Sequence, residues 1–201
     1  MLIKTLPVGQ LETNCYVVTD EDSLDCAVID PGDESGTILD YLEDNKLHCR
    51  AVLLTHAHFD HVGAANALLE ATGARLYMCE KELELVKGGA SGRFTVPEDV
   101  KYYRDGDTVE VGGLRFEVME TPGHTPGGVT LRCGEALFTG DTLFRGSCGR
   151  TDFAGGDMRQ ELRSLKRIAE LPGDYEVYPG HAESSMLSIE REHNPYVRHA
   201  L

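Results

Sequence analysis

Paired cysteines are missing from this sequence. Its six cysteines stand singly, at positions 15, 26, 49, 79, 133 and 148, and none forms the Cys-x-x-Cys spacing that is typical of a cysteine zinc site. Most of them have apolar neighbours, and a chain of 201 residues does not need disulfide bonds to fold. We therefore expect buried free thiols in a reducing cytoplasm, and no zinc site made of cysteine.

Long apolar runs are missing as well. No stretch approaches the roughly 20 consecutive apolar residues that a membrane-spanning helix needs. The N-terminal residues MLIKTLPV contain neither the apolar segment nor the small-residue cleavage site of a secretory signal. The sequence therefore predicts a cytoplasmic protein with no membrane partner.

Basic residues are few: 19 Lys and Arg stand against 34 Asp and Glu, for a net charge of -15. Proteins that bind nucleic acid carry a basic face, so no nucleic-acid partner is expected. The composition, 41% hydrophobic and 26% charged, is ordinary for a globular protein. With no internal repeat and no linker, residues 1–201 are predicted to form one domain, and nothing indicates the oligomeric state.

The apolar pattern predicts a mixed α/β chain. Strands are expected at residues 2–6, 15–19, 26–29, 51–55, 75–78, 108–111, 114–119, 128–133, 136–139 and 175–178. Helices are expected at 35–45, 64–71, 81–86, 157–170 and 184–193, the last ending before Pro195. Residues 88–106 are rich in Gly, Pro and charge, which predicts a long surface loop. Two halves of this form suggest two facing sheets with helices outside.

The densest polar feature directly follows the predicted strand 51–55. It reads His56-Ala57-His58-Phe59-Asp60-His61. Imidazole and carboxylate groups are ligands that metals such as zinc prefer. In extended backbone the first and second histidines point to the same side, so one metal can bind both. A solvated polar loop is the alternative, but three of only 8 histidines stand here with an aspartate. The cluster therefore predicts a metal site.

Further residues of this kind follow three other predicted strands. His124, Asp141 and His181 each come directly after a glycine, and His124 lies in a Pro- and Gly-rich turn. Glycine allows turn geometries that other residues avoid, and it leaves room for the close approach of a ligand. Each signal is weak alone, but strand-end loops on a rigid scaffold commonly carry function. Together with residues 56–61 they predict one shared site.

The order His-x-His-x-Asp-His, Gly-His, Gly-Asp-Thr and Gly-His resembles the motifs of the metallo-β-lactamase superfamily, from about residue 14 to 181. The resemblance implies an α/β protein with an αββα sandwich fold and a two-metal site at one edge of the two sheets. It implies a first metal held by His56, His58 and His124, a second held by Asp60, His61 and His181, and Asp141 and a hydroxide bridging both. Such a pair of metals generates a nucleophile at neutral pH and polarises a carbonyl. Zinc is the expected metal, although iron and manganese suit the same ligands.

The segment from Gly140 to Phe153 is similar to a loop of glyoxalase II and its relatives. Arg150 stands where glyoxalase II has a lysine that helps to hold glutathione, and a guanidinium can bind a carboxylate in the same way. The alternative is a structural arginine, paired with Asp152. Glyoxalase II has a tyrosine where Asp152 stands, and a C-terminal helical extension that this chain does not match. The tail, Glu190–Tyr196, is similar instead to that of short bacterial glyoxalase II-like hydrolases.

The resemblance therefore implies a hydrolase of a small, anionic acyl thioester, for which S-lactoylglutathione is the type substrate. A metal-bound hydroxide would attack the carbonyl, and Asp60 would orient it as well as bind metal. The Gly-Arg-Thr-Asp-Phe string at 149–153 also resembles persulfide dioxygenases. Those enzymes use one iron, held at the counterparts of His56, His124 and Asp141. A metal-binding module without catalysis is a third possibility, but all seven candidate positions are filled.

Overall fold

The N-terminal half of the chain forms a six-stranded sheet. The computed structural model describes residues 1–201, and the strands of this sheet are β1 (Leu2–Val8), β2 (Thr13–Thr19), β3 (Asp25–Ile29), β4 (His48–Leu53), β5 (Arg75–Cys79) and β6 (Lys101–Tyr103). They lie side by side in sequence order, antiparallel from β1 to β3 and parallel from β3 to β6. Parallel pairs need crossover connections, which here contain α1 (Ser35–Asp44), α2 (Phe59–Val62), α3 (Ala65–Thr72) and α4 (Leu83–Lys87).

The C-terminal half forms a second six-stranded sheet and a short ribbon. Its elements are β7 (Thr108–Val111), β8 (Leu114–Glu120), β9 (Val129–Cys133), β10 (Ala136–Gly140), the ribbon β11 (Leu143–Phe144) and β12 (Ser147–Cys148), α5 (Met158–Ala169), β13 (Glu176–Pro179), β14 (Ser185–Met186), α6 (Leu187–His193) and α7 (Pro195–Ala200). The strand order is β14-β13-β10-β9-β8-β7, and only β10 and β13 are parallel.

Three apolar layers hold these elements together. Alternate residues of a strand face opposite sides of a sheet, so β2 sends Tyr16 and Val18 toward the second sheet and Val17 toward the helices. The middle layer lies between the sheets and contains the fully buried Phe116 and Phe138. The outer layers join α1 and α3 to the first sheet and α5, α6 and α7 to the second. The predicted αββα sandwich is therefore confirmed.

Helix α5 shows how local sequence fixes an outer layer. The Asp157 side chain accepts hydrogen bonds from the backbone N–H groups of Arg159 and Gln160, which caps the helix at its first turn. Leu165 and Ile168, three residues apart, are buried against the second sheet. None of the helices in the chain combines the length and the apolar character that a membrane crossing requires.

The prediction of one long surface loop at 88–106 was wrong. Residues 101–103 form β6, the edge strand that pairs in parallel with β5. Phe94 and Tyr103 are buried, and the Tyr103 hydroxyl donates a hydrogen bond to the Leu54 carbonyl. The Gly, Pro and charged residues around Phe94 and Tyr103 gave no sign of their burial. Both side chains pack against residues that are distant in sequence, so the local pattern could not predict it.

Three boundaries also differ from the predictions. The strand expected at 51–55 begins at His48 and ends at Leu53, because the Thr55 N–H donates to the Asp30 carboxylate and leaves the ladder. The helix expected at 184–193 begins only at Leu187, after the two-residue strand β14. Pro195 starts another helix, since its missing N–H costs nothing in a first turn and Asn194 caps that turn.

Candidate metal centre

Seven candidate ligands lie in four loops at one edge of the two sheets. They are His56 and His58 after β4, Asp60 and His61 on α2, His124 after β8, Asp141 after β10 and His181 after β13. β10 and β13 are parallel, and β8 runs the same way because β9 is antiparallel to both of its neighbours. Their carboxyl ends therefore meet at one edge, beside the end of β4. The structure brings all seven side chains together, and their role as metal ligands stays a prediction.

The first group of side chains consists of His56, His58 and His124. Their ring nitrogens lie within 4.8 Å of one another, and His58 Nδ1 is 2.9 Å from His124 Nε2. Burial lowers the pKa of His56 well below its usual value and, with help from His124, lowers the pKa of His58 to about 4. Neutral imidazole is the form that binds a metal, so this group is ready to coordinate one.

The second group consists of Asp60, His61 and His181. Asp60 Oδ2 is 3.1 Å from His181 Nε2 and 3.6 Å from His61 Nε2. Burial alone would lower the pKa of both histidines, but the nearby carboxylates outweigh it. Asp141 and Asp30 raise the pKa of His61 well above its usual value, and Asp60 raises the pKa of His181. The histidines of the second group therefore hold protons more tightly than His56 and His58 do.

Asp141 lies between the two groups. Its Oδ1 is 3.3 Å from His61 Nε2, and its Oδ2 is 3.5 Å from His124 Nε2 and 3.7 Å from His181 Nε2. Burial would raise its pKa, but His61 and the other histidines lower it below the usual value. One ionised carboxylate thus reaches nitrogens of both groups.

Glycine is required where β10 and β13 end. The Gly180 N–H donates to the Gly140 carbonyl at 2.8 Å, which closes the edge of the sheet behind Asp141. A Cβ atom on Gly180 would collide with Asp141 Oδ1 and lie 2.7 Å from His61 Cε1. The glycine before His181, noted in the sequence, therefore keeps space for two other candidate ligands.

Asp30 orients one histidine of the centre, and sequence reasoning missed it. It is buried at the end of β3 and accepts hydrogen bonds from the Thr55 N–H (2.7 Å), the Thr55 hydroxyl (2.5 Å) and His61 Nδ1 (3.0 Å). A carboxylate oxygen of Asp30 and ring nitrogens of His56 and His61 also lie within 4.8 Å of one another. Because its oxygens are already engaged, its role is to fix the His61 tautomer and direct Nε2 toward Asp141. An aspartate directly after a buried strand was the available signal.

Two buried glutamates fasten the loops of the first group. Glu82 accepts the backbone N–H of Ala57 and that of Gly127, both at 2.7 Å, so it joins the loop after β4 to the loop after β8. Glu161 on α5 accepts the N–H of His124 at 2.9 Å, and burial raises its pKa to about 8. Nothing in the sequence pattern marks either residue, because their partners are 25 to 45 positions away.

The residues fit divalent metal ions. His56 Nε2, His61 Nε2 and Asp141 Oδ1 are buried without a well-formed hydrogen bond, although each belongs to the converging cluster. Leaving a buried polar atom unpaired costs about 1–3 kcal/mol, so such atoms in one cluster indicate an external partner. The donor set of imidazole nitrogens and carboxylate oxygens suits zinc, iron and manganese.

A cavity of about 860 Å³ opens over the centre. Its apolar lining comes largely from Leu11, Phe59, Phe144 and Phe153, and Arg150 contributes its one Lys or Arg side chain. Arg150 pairs with Asp152 through two hydrogen bonds of 2.7 Å, as the structural alternative expected, and still lines the cavity. The volume of the cavity, its apolar walls and the single guanidinium suit a small organic substrate.

Comparisons with known proteins agree with this architecture. The family model described as metallo-β-lactamase superfamily matches residues 8–181. The chain is 32% identical to hydroxyacylglutathione hydrolase GloC of Haemophilus influenzae, over 98% of both proteins. It is similar to the crystal structure of a di-iron-bound form of TTHA1623, with 36% identity and a TM-score of 0.86 over 96% of this chain and 99% of that one. ETHE1 from Myxococcus xanthus gives 33% identity and a TM-score of 0.83, over 97% and 84%.

Proposed function

Because the chain belongs to the metallo-β-lactamase superfamily, we propose that it is a two-metal hydrolase of a small acyl thioester similar to S-lactoylglutathione. The observation that carries the proposal is the convergence of both candidate ligand groups on Asp141. Similarity to the hydroxyacylglutathione hydrolase of Haemophilus influenzae supports the thioester as the substrate class.

Each residue of the centre has a role in this proposal. The first metal would be held by His56, His58 and His124, the second by Asp60, His61 and His181, and both by Asp141. Zinc is the metal we propose, with iron and manganese as ions that the same donors accept. Two such ions would lower the pKa of water toward neutrality and polarise the thioester carbonyl.

Asp60 is the residue we propose to orient the attacking water. Its Oδ2 accepts the Thr13 hydroxyl at 3.1 Å and lies beside His181, whereas no other residue donates to Oδ1. Burial would raise the pKa of Asp60, but hydrogen bonding from His181 and the nearby His61 together hold it well below its usual value, so the group stays a carboxylate that can accept a hydrogen bond. Hydrolysis adds water across the C–S bond and releases a carboxylate and a thiol into the cavity.

Arg150 is the residue we propose to contact the substrate outside the reacting bond. It lines the same cavity as His58, His124 and Asp141, and a guanidinium binds a carboxylate through paired hydrogen bonds. An anionic thioester would therefore be favoured. No nucleic-acid or membrane partner is part of the proposal.

We further propose that residues 1–201 act as one domain in the cytoplasm. The first sheet supplies His56, His58, Asp60 and His61 and the second supplies the other three candidate ligands, so neither half would form the centre alone. All six cysteines are free thiols and five are buried, which suits a reducing compartment.

The test combines metal analysis with thiol release from a panel of thioesters. Protein produced with zinc, iron and manganese supplied together should retain two ions per chain and release thiol from S-lactoylglutathione. Retention of metal without cleavage of any thioester would contradict the proposed reaction. If the protein bound no metal at neutral pH, both enzyme proposals would fail, and a binding module without catalysis would be the remaining possibility.

A second candidate is a mononuclear-iron persulfide dioxygenase. It is favoured by the Gly149–Phe153 string and by the similarity to ETHE1 from Myxococcus xanthus. In that case only His56, His124 and Asp141 would hold the metal, although Asp60, His61 and His181 also lie together. Oxygen consumption with glutathione persulfide, one iron per chain and no thioester cleavage would establish this alternative.

A further inference from the structure

Arg150 is held on two sides at the wall of the cavity. Its Nε and Nη2 donate to the two oxygens of Asp152, each at 2.7 Å, and its guanidinium carbon lies 4.0 Å from the centre of the Phe153 ring. Nη1 is the guanidinium nitrogen that has no partner in the chain. Arg150 and Phe153 line the cavity, whereas Asp152 does not. The arginine therefore borders the cavity, while the aspartate that binds it lies outside the cavity lining.

Resting on the proposed thioester hydrolysis, we propose that Asp152 is a positioning residue. It holds the free end of Arg150 toward the cavity, and through Arg150 it selects thioesters whose thiol half carries a carboxylate. A guanidinium has five N–H donors on separate edges, so it can bind Asp152 along one edge and a substrate carboxylate at the Nη1 end. The substrate class is therefore an acyl thioester of an acidic thiol, such as an acidic peptide thiol.

The fixed position of Arg150 relative to the centre supports this assignment. Its backbone carbonyl accepts a hydrogen bond from His124 Nδ1 at 2.7 Å, so the peptide that carries Arg150 is attached to the first ligand group. The Phe153 ring that lies under the guanidinium meets the edge of His58, with 5.8 Å between ring centres. The cation thus stands beside the reaction centre at a set distance, where the thiol half of a bound thioester would extend.

Without Asp152, the Arg150 side chain would be free to turn. The exposed fraction is 59% for the Arg150 side chain and 67% for that of Asp152, so only the ion pair and the Phe153 ring restrict it. An exposed pair of this kind contributes little to stability, so its loss should change a binding preference by no more than about fivefold. The charges of the pair cancel, so the effect we expect comes from orientation and is modest.

The test compares two thioesters that share an acyl group and differ in the thiol. S-lactoylglutathione carries carboxylates on its thiol half, and S-lactoyl-N-acetylcysteamine carries none. In Asp152→Ala the ratio of kcat/KM for the acidic over the neutral thioester should fall about fivefold, through KM rather than kcat. Arg150→Ala should lower the ratio at least as much, and the double variant no further, because the two residues act as one unit.

Glu183→Ala is the matched control. Glu183 pairs with Arg145 at an exposed position near the site, but neither residue lines the cavity. Its removal should leave the ratio at the wild-type value. Asp152→Asn, which keeps one acceptor oxygen, should lie between wild type and Asp152→Ala. Metal content and unfolding midpoints of all variants should equal those of wild type.

A calorimetric titration with the free thiols gives a second readout without turnover. Wild type should bind glutathione more tightly than N-acetylcysteamine, and Asp152→Ala should lose that preference. A ratio that stays constant in Asp152→Ala, or that rises because Asp152 competes with the substrate for Arg150, would overturn the inference. If wild type with bound metal cleaves neither thioester, the proposed function fails instead, and the titration still decides the role of Asp152.

Discussion

The clamp formed by Glu82 gives the sharpest prediction about how the centre is built. Its two carboxylate oxygens each accept one backbone N–H at 2.7 Å, from Ala57 between His56 and His58 and from Gly127 behind His124. The Glu82 side chain is fully buried, and water cannot replace either bond without entering the core. In Glu82→Gln, one of the two N–H groups would face an amide NH₂ and lose its acceptor.

The magnitude follows from those contacts. Leaving a buried donor without its acceptor costs about 1–3 kcal/mol, and more where the lost acceptor is charged, as it is here. We therefore expect Glu82→Gln to lower the free energy of unfolding by about 2–4 kcal/mol. The chain should still fold, because domains are typically stable by about 5–15 kcal/mol. Loosening the two loops should also weaken metal binding, since loss of a group that supports ligands costs about 10–100-fold in affinity.

The assay is urea unfolding of the metal-free protein together with competition for zinc against a chelator. Glu84→Gln is the control, because Glu84 lies two residues away with its side chain 78% exposed and pairs only with Lys87. It should change stability by less than about 0.5 kcal/mol. If Glu82→Gln unfolds at the same urea concentration as Glu84→Gln and binds zinc as tightly, the clamp has no such role.

Three further substitutions test other parts of the centre. Asp141→Ala should lower metal content and thioesterase activity together, because the carboxylate reaches nitrogens of both groups; equal metal retention in the variant and the wild type would contradict the bridging role. Gly180→Ala should cost about 1–3 kcal/mol of stability, as measured by urea unfolding, or at least tenfold in metal affinity, since its Cβ collides with Asp141; unchanged values for both would show that the edge can relax. Asp30→Asn should weaken metal binding about 10–100-fold with little effect on substrate KM, because His61 loses the acceptor that orients it; a KM effect alone would contradict this.

The sequence predicted the parts of the site that are local. Four of the seven candidate ligands stand within the six residues from 56 to 61. Each of the other three directly follows a glycine. Apolar runs before them located the strand ends, so the convergence at one sheet edge could be anticipated from strand direction. The resemblance to a known superfamily then supplied the pairing of sheets that periodicity alone leaves open.

The supporting residues could not be predicted in this way. Asp30, Glu82 and Glu161 act through partners that are 25 to 45 positions away, and an isolated acidic residue is usually solvated. The burial of Phe94 and Tyr103 was not predicted either, because they stand in a polar segment and pack against residues elsewhere in the chain. The pairing of Arg150 with Asp152 was foreseen as an alternative, but its geometry at the cavity wall was not.

Metal stoichiometry measured alongside activity tests the central claim most directly. Metal-free protein would be titrated with zinc while thiol release from S-lactoylglutathione and bound zinc per chain are followed in the same samples. The account predicts that bound zinc reaches two ions per chain in wild type and one in His181→Ala, and that full activity needs both. Binding that saturates at one ion in wild type with full activity would contradict the two-metal centre.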